Sequence, residues 1–169
     1  MSFRKQYTHV SQYSTTKFDS EIARHGKYFI LVRTDQRIRC PNVDPVTSEC
    51  SPQCPICFGL GFNFQYETHI MRKSLDTNTN RGSEEFIPYT FFIDTSVVAK
   101  ETDQILEVSW SGGIVSRILA VFEIIDVNLY DLGSAPAYQI ADCVKESVSS
   151  KNHNLKYLQS IISLGITND

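Results

Sequence analysis

The sequence predicts a mainly β protein: a small antiparallel barrel or sandwich, with one inserted cysteine loop and one or two peripheral helices. Three observations predict it. Five or six stretches rich in β-branched and aromatic residues follow one another at short spacing, with turn residues between them. The 169 residues, 41% hydrophobic and 21% charged, suit a single soluble domain with a small appendage. Four of the five cysteines and four of the six prolines crowd into residues 40–62, which marks an insertion between the first two strands.

The elements follow in order. Residues 1–17 carry no clear period and read as an N-terminal arm. FDSEIARH (18–25) predicts a short helix, with Asp19 or Ser20 as cap, Phe18 and Ile22 on one face, and Gly26 just past its end. KYFILVRT (27–34) is mostly apolar and aromatic and predicts the first strand. FNFQYETHIMRKS (62–74) alternates Phe62, Phe64 and Tyr66 and predicts the second. LDTNTNRGSEE (75–85) is nearly all polar and predicts an exposed loop of a length usually tied to function; Asn78, Thr79, Asn80 and Arg81 are its candidate partner-binding residues.

FIPYTFFIDTSV (86–97) predicts a strand, with Pro88 at an edge or in its first turn. QILEVSW (104–110) alternates imperfectly, SGG (111–113) is a hairpin turn, and IVSRILAVFEIIDVNLY (114–130) is one long or bent strand. AYQIADCVKES (137–147) is the last strand. Residues 148–169 form a tail in which Leu155, Leu158, Ile161 and Ile162 recur at helical spacing, predicting a helix that ends at Gly165, with a strand as the alternative. The barrel domain therefore spans 18–147, with the cysteine loop 40–62 inserted.

A net charge of −3 argues against a protein that coats nucleic acid without specificity. No apolar run reaches the roughly 20 residues of a membrane span. The polar, aromatic start MSFRKQYTHVSQYSTTKF lacks the apolar core of a signal peptide, so the expected compartment is a reducing cytosol. There a tight cysteine cluster more often binds a metal than forms disulfides.

The spacing is C-x9-C-x3-C-x2-C, from Cys40, Cys50, Cys54 and Cys57. Cys54-Pro-Ile-Cys57 offers two thiolates to one ion, and Gly59 and Gly61 let the chain turn beneath it. Cys40 and Cys50 complete a closed four-thiolate set for a structural Zn²⁺ with no open position for water. A redox CxxC, disulfides and unpaired thiols are the alternatives. The redox reading lacks the helix that should follow the motif. Cys143 lies far away in sequence and reads as a small core residue. His69 is a rival ligand that reads more simply as a hydrogen-bonded strand histidine.

Enzyme signatures are missing: the Gly59–Gly61 pair is no phosphate loop, and there is no HExxH, no GxSxG and no deaminase H-x-E. A non-catalytic role is expected. The functional rival is a zinc-dependent nucleic-acid module. In it Arg33, Arg37, Arg39, Arg72, Lys73 and Arg81 would clamp a strand, and Phe58, Phe62, Phe64 and Tyr66 would stack on its bases. The simpler reading places these cations on solvated faces, paired with the surplus of acids.

The stretch GKYFILVRTDQRIRCPNVDPVTSECSPQCPICFGLGF resembles a pattern of small virion proteins of tailed bacteriophages. In that pattern a strand ending in arginine precedes C-P-x-C-x-D-P-V, a variable loop, and C-P-x-C-x-G-x-G-F. Cys40-Pro41, Asp44-Pro45-Val46 and Cys54 through Phe62 match. The pattern's cysteine between Pro41 and Asp44 is absent; either Cys50 replaces it as fourth ligand or the site has three thiolates. Downstream, FFIDTSVVAKETDQILEV and GIVSRILAVFEIIDVNLYDLGSAPAYQIADCVKE are similar, less specifically, to the barrel of phage head-closure and neck proteins. Thr102-Asp103 stands where that pattern has Gly-Asp.

The resemblance covers about residues 18–147 and implies a structural subunit of the head–tail connector. It implies a ring of copies, contacting the portal or adaptor protein and tail proteins of the virion, assembled in the host cytoplasm, with no membrane partner. Proximity to packaged DNA is compatible with it. A tail or baseplate subunit on a similar barrel is the nearest alternative.

Overall fold

The computed structural model describes residues 15–57, 59–75, 88–132, 135–146, 162 and 165–168. One helix, α1 (Thr15–His25), precedes six strands: β1 (Lys27–Arg39), β2 (Phe62–Leu75), β3 (Pro88–Ile93), β4 (Gln104–Ser111), β5 (Ile114–Leu132) and β6 (Ala135–Glu146). The strands form one antiparallel sheet in the order β1-β2-β3-β6-β5-β4, which closes in a ring. The predicted mainly β class is present, with the cysteine loop between β1 and β2.

α1 begins at Thr15, so Asp19 and Ser20 lie inside the helix and not at its cap, and the predicted arm shortens. The misplacement has a simple cause: Thr15, Thr16, Asp19 and Ser20 are all cap-type residues, so the start signal is degenerate. The end is well marked. Ile22 is buried, Arg24 and His25 sit in the last turn where cations favour the helix dipole, and Gly26 N–H closes on Ile22 O at 2.7 Å.

The chain divides into two compact units. One contains residues 28–69, 102–123 and 145–169; the other contains 1–27, 70–101 and 124–144. In the first, β1 pairs with β4 from Phe29↔Glu107 to Val32↔Gln104, and β4 pairs with β5 through a hairpin. Gly112 and Gly113 form its turn with φ of +60° and +80°, the left-handed pair that a two-residue hairpin needs. Two register shifts in the β4–β5 pairing, at Glu107/Val108 and Ser109/Trp110, each leave one extra residue in β5, Leu119 and Ser116. Ile30, Val32, Leu106, Val108, Val115 and Val121 form one core cluster of this unit, with Leu60, Phe64, Tyr66 and Trp110 packed against it.

In the second unit, β3 pairs with β2 and β6, and Pro88 is the first residue of its strand, where a missing N–H is tolerated. Phe91, Ile93, Ala141 and Cys143 are buried there, as expected for Cys143. β3 ends at Ile93, four residues before its predicted limit, because residues 94–97 turn instead. Asp94 Oδ1 accepts from Ser96 N–H, and the buried Gln139 amide donates to Asp94 O and Val97 O while its oxygen accepts from Ala99 N–H. A β-prone Thr-Ser-Val-Val run gives no hint of a glutamine stapling it from another strand.

β1 runs five residues past its predicted end at Thr34, since DQRIR lacks an apolar signal yet stays extended beside β2. At the far end, Ile162 is helical, Gly165 takes φ +61°, and Thr167 bridges to Ile114. The rest of the predicted C-terminal helix lies outside the described residues. So do residues 1–14 of the arm and the loop residues Asn78, Thr79, Asn80 and Arg81.

Thr102 adopts φ +73°, a conformation unfavourable for a β-branched residue. This is the place where the phage pattern has glycine. Thr102→Gly is expected to raise stability by about 1 kcal/mol, because the relieved strain exceeds the added freedom of the unfolded chain. A urea denaturation midpoint equal to or below wild type would show that Thr102 is not strained.

Candidate metal centre

The site is built by the loop between Arg39 and Phe62. Cys40 leaves β1 with its N–H on Gly61 O at 3.0 Å, so the loop closes at its base where β2 begins. The Asp44-Pro45-Val46 run is a turn: Asp44 Oδ1 accepts from the N–H groups of Val46 (2.7 Å) and Thr47 (3.0 Å), and Asp44 N–H donates to Glu49 O. These bonds lower the pKa of Asp44, with Thr47 N–H the larger cause. The turn delivers Cys50. A second turn through Ser51–Cys54 and a third through Cys57–Leu60 place the remaining two cysteines.

All four sulfurs lie within 4.8 Å of one another. Cys40 and Cys54 Sγ are 3.7 Å apart, Cys50 and Cys57 Sγ are 3.2 Å apart, and all four are free thiols. Four thiolates about 2.3 Å from a tetrahedral ion stand about 3.8 Å from each other, so the cluster has the size of a single four-coordinate centre. The predicted set Cys40, Cys50, Cys54 and Cys57 therefore comes together and can hold a metal ion. Cys50 is in it. His69 is not; its Nε2 lies 2.9 Å from Glu67, the hydrogen-bonded strand histidine of the simpler reading.

Backbone N–H groups approach three of the sulfurs, and two of these have lowered pKa values. N–H groups of Cys57 and Ile56 point at Cys54 Sγ and pull its pKa down to about 6. Burial would raise the pKa of Cys57, but the Cys50 thiol and the N–H groups of Gly61 and Gly59 lower it overall. Cys40 receives Asn42 N–H, although burial still dominates and raises it. Cys50 differs. Its thiol donates to Asn42 O, its sulfur accepts from Cys57 Sγ at 3.2 Å, and the bond to Cys57 is the main cause that pushes it up to about 12. A metal ion must displace its proton, and so competes with hydrogen ions for the cluster.

Two supporting residues have no signal in a cysteine count. Asn42 Nδ2 donates to Cys54 Sγ at 3.5 Å while its carbonyl faces Cys50, so one residue touches both halves of the cluster. Gly59 has φ +88°, and a Cβ there would stand 2.9 Å from Pro52 Cα, a backbone atom that cannot move aside alone. Gly59→Ala is expected to lower metal affinity at least tenfold, in line with loss of outer-shell support. Competition with a chromogenic chelator measures it, and an unchanged affinity would mean the loop can close without this glycine.

Of the cations proposed for nucleic acid, Arg33 is committed elsewhere. Its guanidinium forms two 3.0 Å bonds with Glu67 and a 2.8 Å bond with Asp103, which is 1% exposed. Burial alone would lower its pKa; the two carboxylates together raise it. Arg37 stays exposed and lies over the Phe62 ring at 4.7 Å, with Phe64 edge-on to Phe62 at 5.3 Å. Arg39 is exposed, Lys73 lies 5.9 Å from the Tyr89 ring, and Arg81 and Phe58 fall outside the described residues.

No protein-family model matches the chain, and no curated protein sequence matches it.

Proposed function

We propose that the chain is a non-catalytic structural subunit of a tailed-phage virion, of the neck or head-closure type, with a structural Zn²⁺ bound by Cys40, Cys50, Cys54 and Cys57. The observation that carries this reading is the closed, all-sulfur cluster of four cysteines, seated between the first two strands of an antiparallel sheet where the phage motif has its own. An all-thiolate tetrahedral set suits Zn²⁺ and leaves no ligand position for a substrate. Bound there, the ion supplies cross-linking and no chemistry. Asn42 and the amides of Ile56, Cys57, Gly59 and Gly61 offset the charge of the sulfurs. The left-handed backbone at Thr102, where the motif has glycine, also favours the resemblance.

In this reading the chain sits in a ring between the portal or adaptor and the tail. Immunogold electron microscopy of intact particles tests it. Label at the head–tail junction is expected. Label at the distal tail would move the subunit to the baseplate. Absence of the chain from dissociated particles would overturn the virion reading.

A further inference from the structure

The sulfur cluster presents its four atoms to solvent unequally. Cys40, Cys54 and Cys57 are buried, whereas Cys50 is only partly buried. Oxidation of cysteine follows thiolate character and access, so a small reagent arriving from water meets Cys50 first. The sulfurs also lie in pairs. Cys50 and Cys57 Sγ are 3.2 Å apart, and Cys40 and Cys54 Sγ are 3.7 Å apart. A disulfide needs about 2.05 Å, so each pair is roughly 1–2 Å short of a covalent bond.

The two pairs close the same loop. Cys40 and Cys57 are both tied to Gly61 at its base, Cys40 through its N–H and Cys57 through its sulfur. Residue 50 lies within the 40–54 span, and residue 54 lies within the 50–57 span. Links 40–54 and 50–57 therefore interlock, and together they would constrain the segment that one metal ion constrains. Cys143 stands apart from this arrangement. It is buried, and its thiol donates to Ala141 O.

We propose that the cluster is also a redox site, at which a peroxide converts the thiolates to a Cys50–Cys57 disulfide and then to a Cys40–Cys54 disulfide. A metal staple is thereby exchanged for a covalent one. With metal bound, Cys50 is a thiolate. Its Sγ attacks one peroxide oxygen; the O–O bond breaks, a sulfenic acid forms and hydroxide leaves. Cys57 Sγ then attacks the Cys50 sulfur; the S–S bond forms, the S–O bond breaks and a second hydroxide leaves. Two thiolates have lost two electrons to one peroxide. Loss of two ligands frees the ion, whose charge does not change. A second peroxide repeats the sequence at Cys40 and Cys54. The loop so keeps its closure in an oxidising medium, where thiolate ligands do not persist. What is released rests on the metal reading; which sulfurs pair does not.

The test treats the full metal-loaded chain with hydrogen peroxide, first at one equivalent and then in modest excess. A chromogenic chelator reads the zinc set free. The chain is then unfolded in iodoacetamide, reduced, and labelled with N-ethylmaleimide. Fragmentation of the tryptic peptide 40–72, which holds all four cysteines, shows which of them were oxidised. At one equivalent the second label is expected on Cys50 and Cys57, with one zinc lost per bridge. In excess it is expected on all four and not on Cys143. The oxidised, zinc-free chain is expected to resist proteinase K within 40–61, whereas the reduced chain stripped by chelator is cut. Four results would each overturn the proposal: no bridge, a different first pair, bridges between chains, or an oxidised loop cut as readily as the stripped one. Zinc content before oxidation separates the two readings. A metal-free chain that still forms the Cys50–Cys57 bridge would contradict the metal centre and uphold the pairing.

Discussion

Cys57→Ser is expected to strip the chain of nearly all its metal and to open residues 40–61 to proteolysis. Cys57 is completely buried, touches Cys50 and accepts Gly61 N–H, so it links both halves of the cluster to the base of the loop. Serine offers a hard, neutral oxygen where a thiolate is needed. Metal binding supplies on the order of 10 kcal/mol in isolated zinc modules. This loop has little else: its small cluster is Cys40, Cys54 and Cys57 with Val43, Cys50, Ile56 and Leu60 packed against them. The sheet has its own core, so the effect should remain local. Limited proteolysis should cut the variant within 40–61 while circular dichroism retains the β signal. A variant that keeps its metal and resists cleavage would remove Cys57 from the ligand set. Acid should act in the same direction, since protons compete with the metal for all four sulfurs.

Arg33→Ala should destabilise the fold by about 3–5 kcal/mol, the usual consequence of breaking a buried ion pair by removing one partner. Asp103 is 1% exposed and would lose its 2.8 Å guanidinium contact. Urea unfolding at neutral pH measures the loss. A change below about 1 kcal/mol, the scale of a surface pair, would show that the carboxylate finds other compensation. The network also sets a pH dependence. Arg33 first, then His69, holds Glu67 below its ordinary value of 4.5. A depressed folded-state pKa gives stability that is present above that value and lost as pH falls through the lower one. The wild-type advantage over Glu67→Gln should therefore shrink as pH is lowered below about 4.5. An advantage independent of pH would mean that Glu67 contributes through packing alone.

Much of this was legible in the sequence, for reasons that differ by element. The six strands stand out because buried faces demand β-branched and aromatic side chains, as in Phe29–Val32 and Phe91–Ile93. The cluster was legible because metal chelation needs several sulfurs close in sequence, with glycines to turn the chain. Hidden from it were features set by tertiary contact: the polar extension of β1, the turn held by Gln139, and the Arg33 network, whose carboxylates are 34 and 70 residues away. Asn42 was hidden too, since its role comes from lying between two sulfurs rather than from its type.

The account rests on four cysteines sharing one ion, and Cys50 is the member whose thiol is pushed up to about 12. Elemental analysis of the purified chain beside Cys50→Ser tests this most directly. The account predicts one zinc per chain in the wild type and a loss in Cys50→Ser as complete as in Cys54→Ser. A wild-type chain without metal, or a Cys50→Ser chain that keeps it in full, would contradict it.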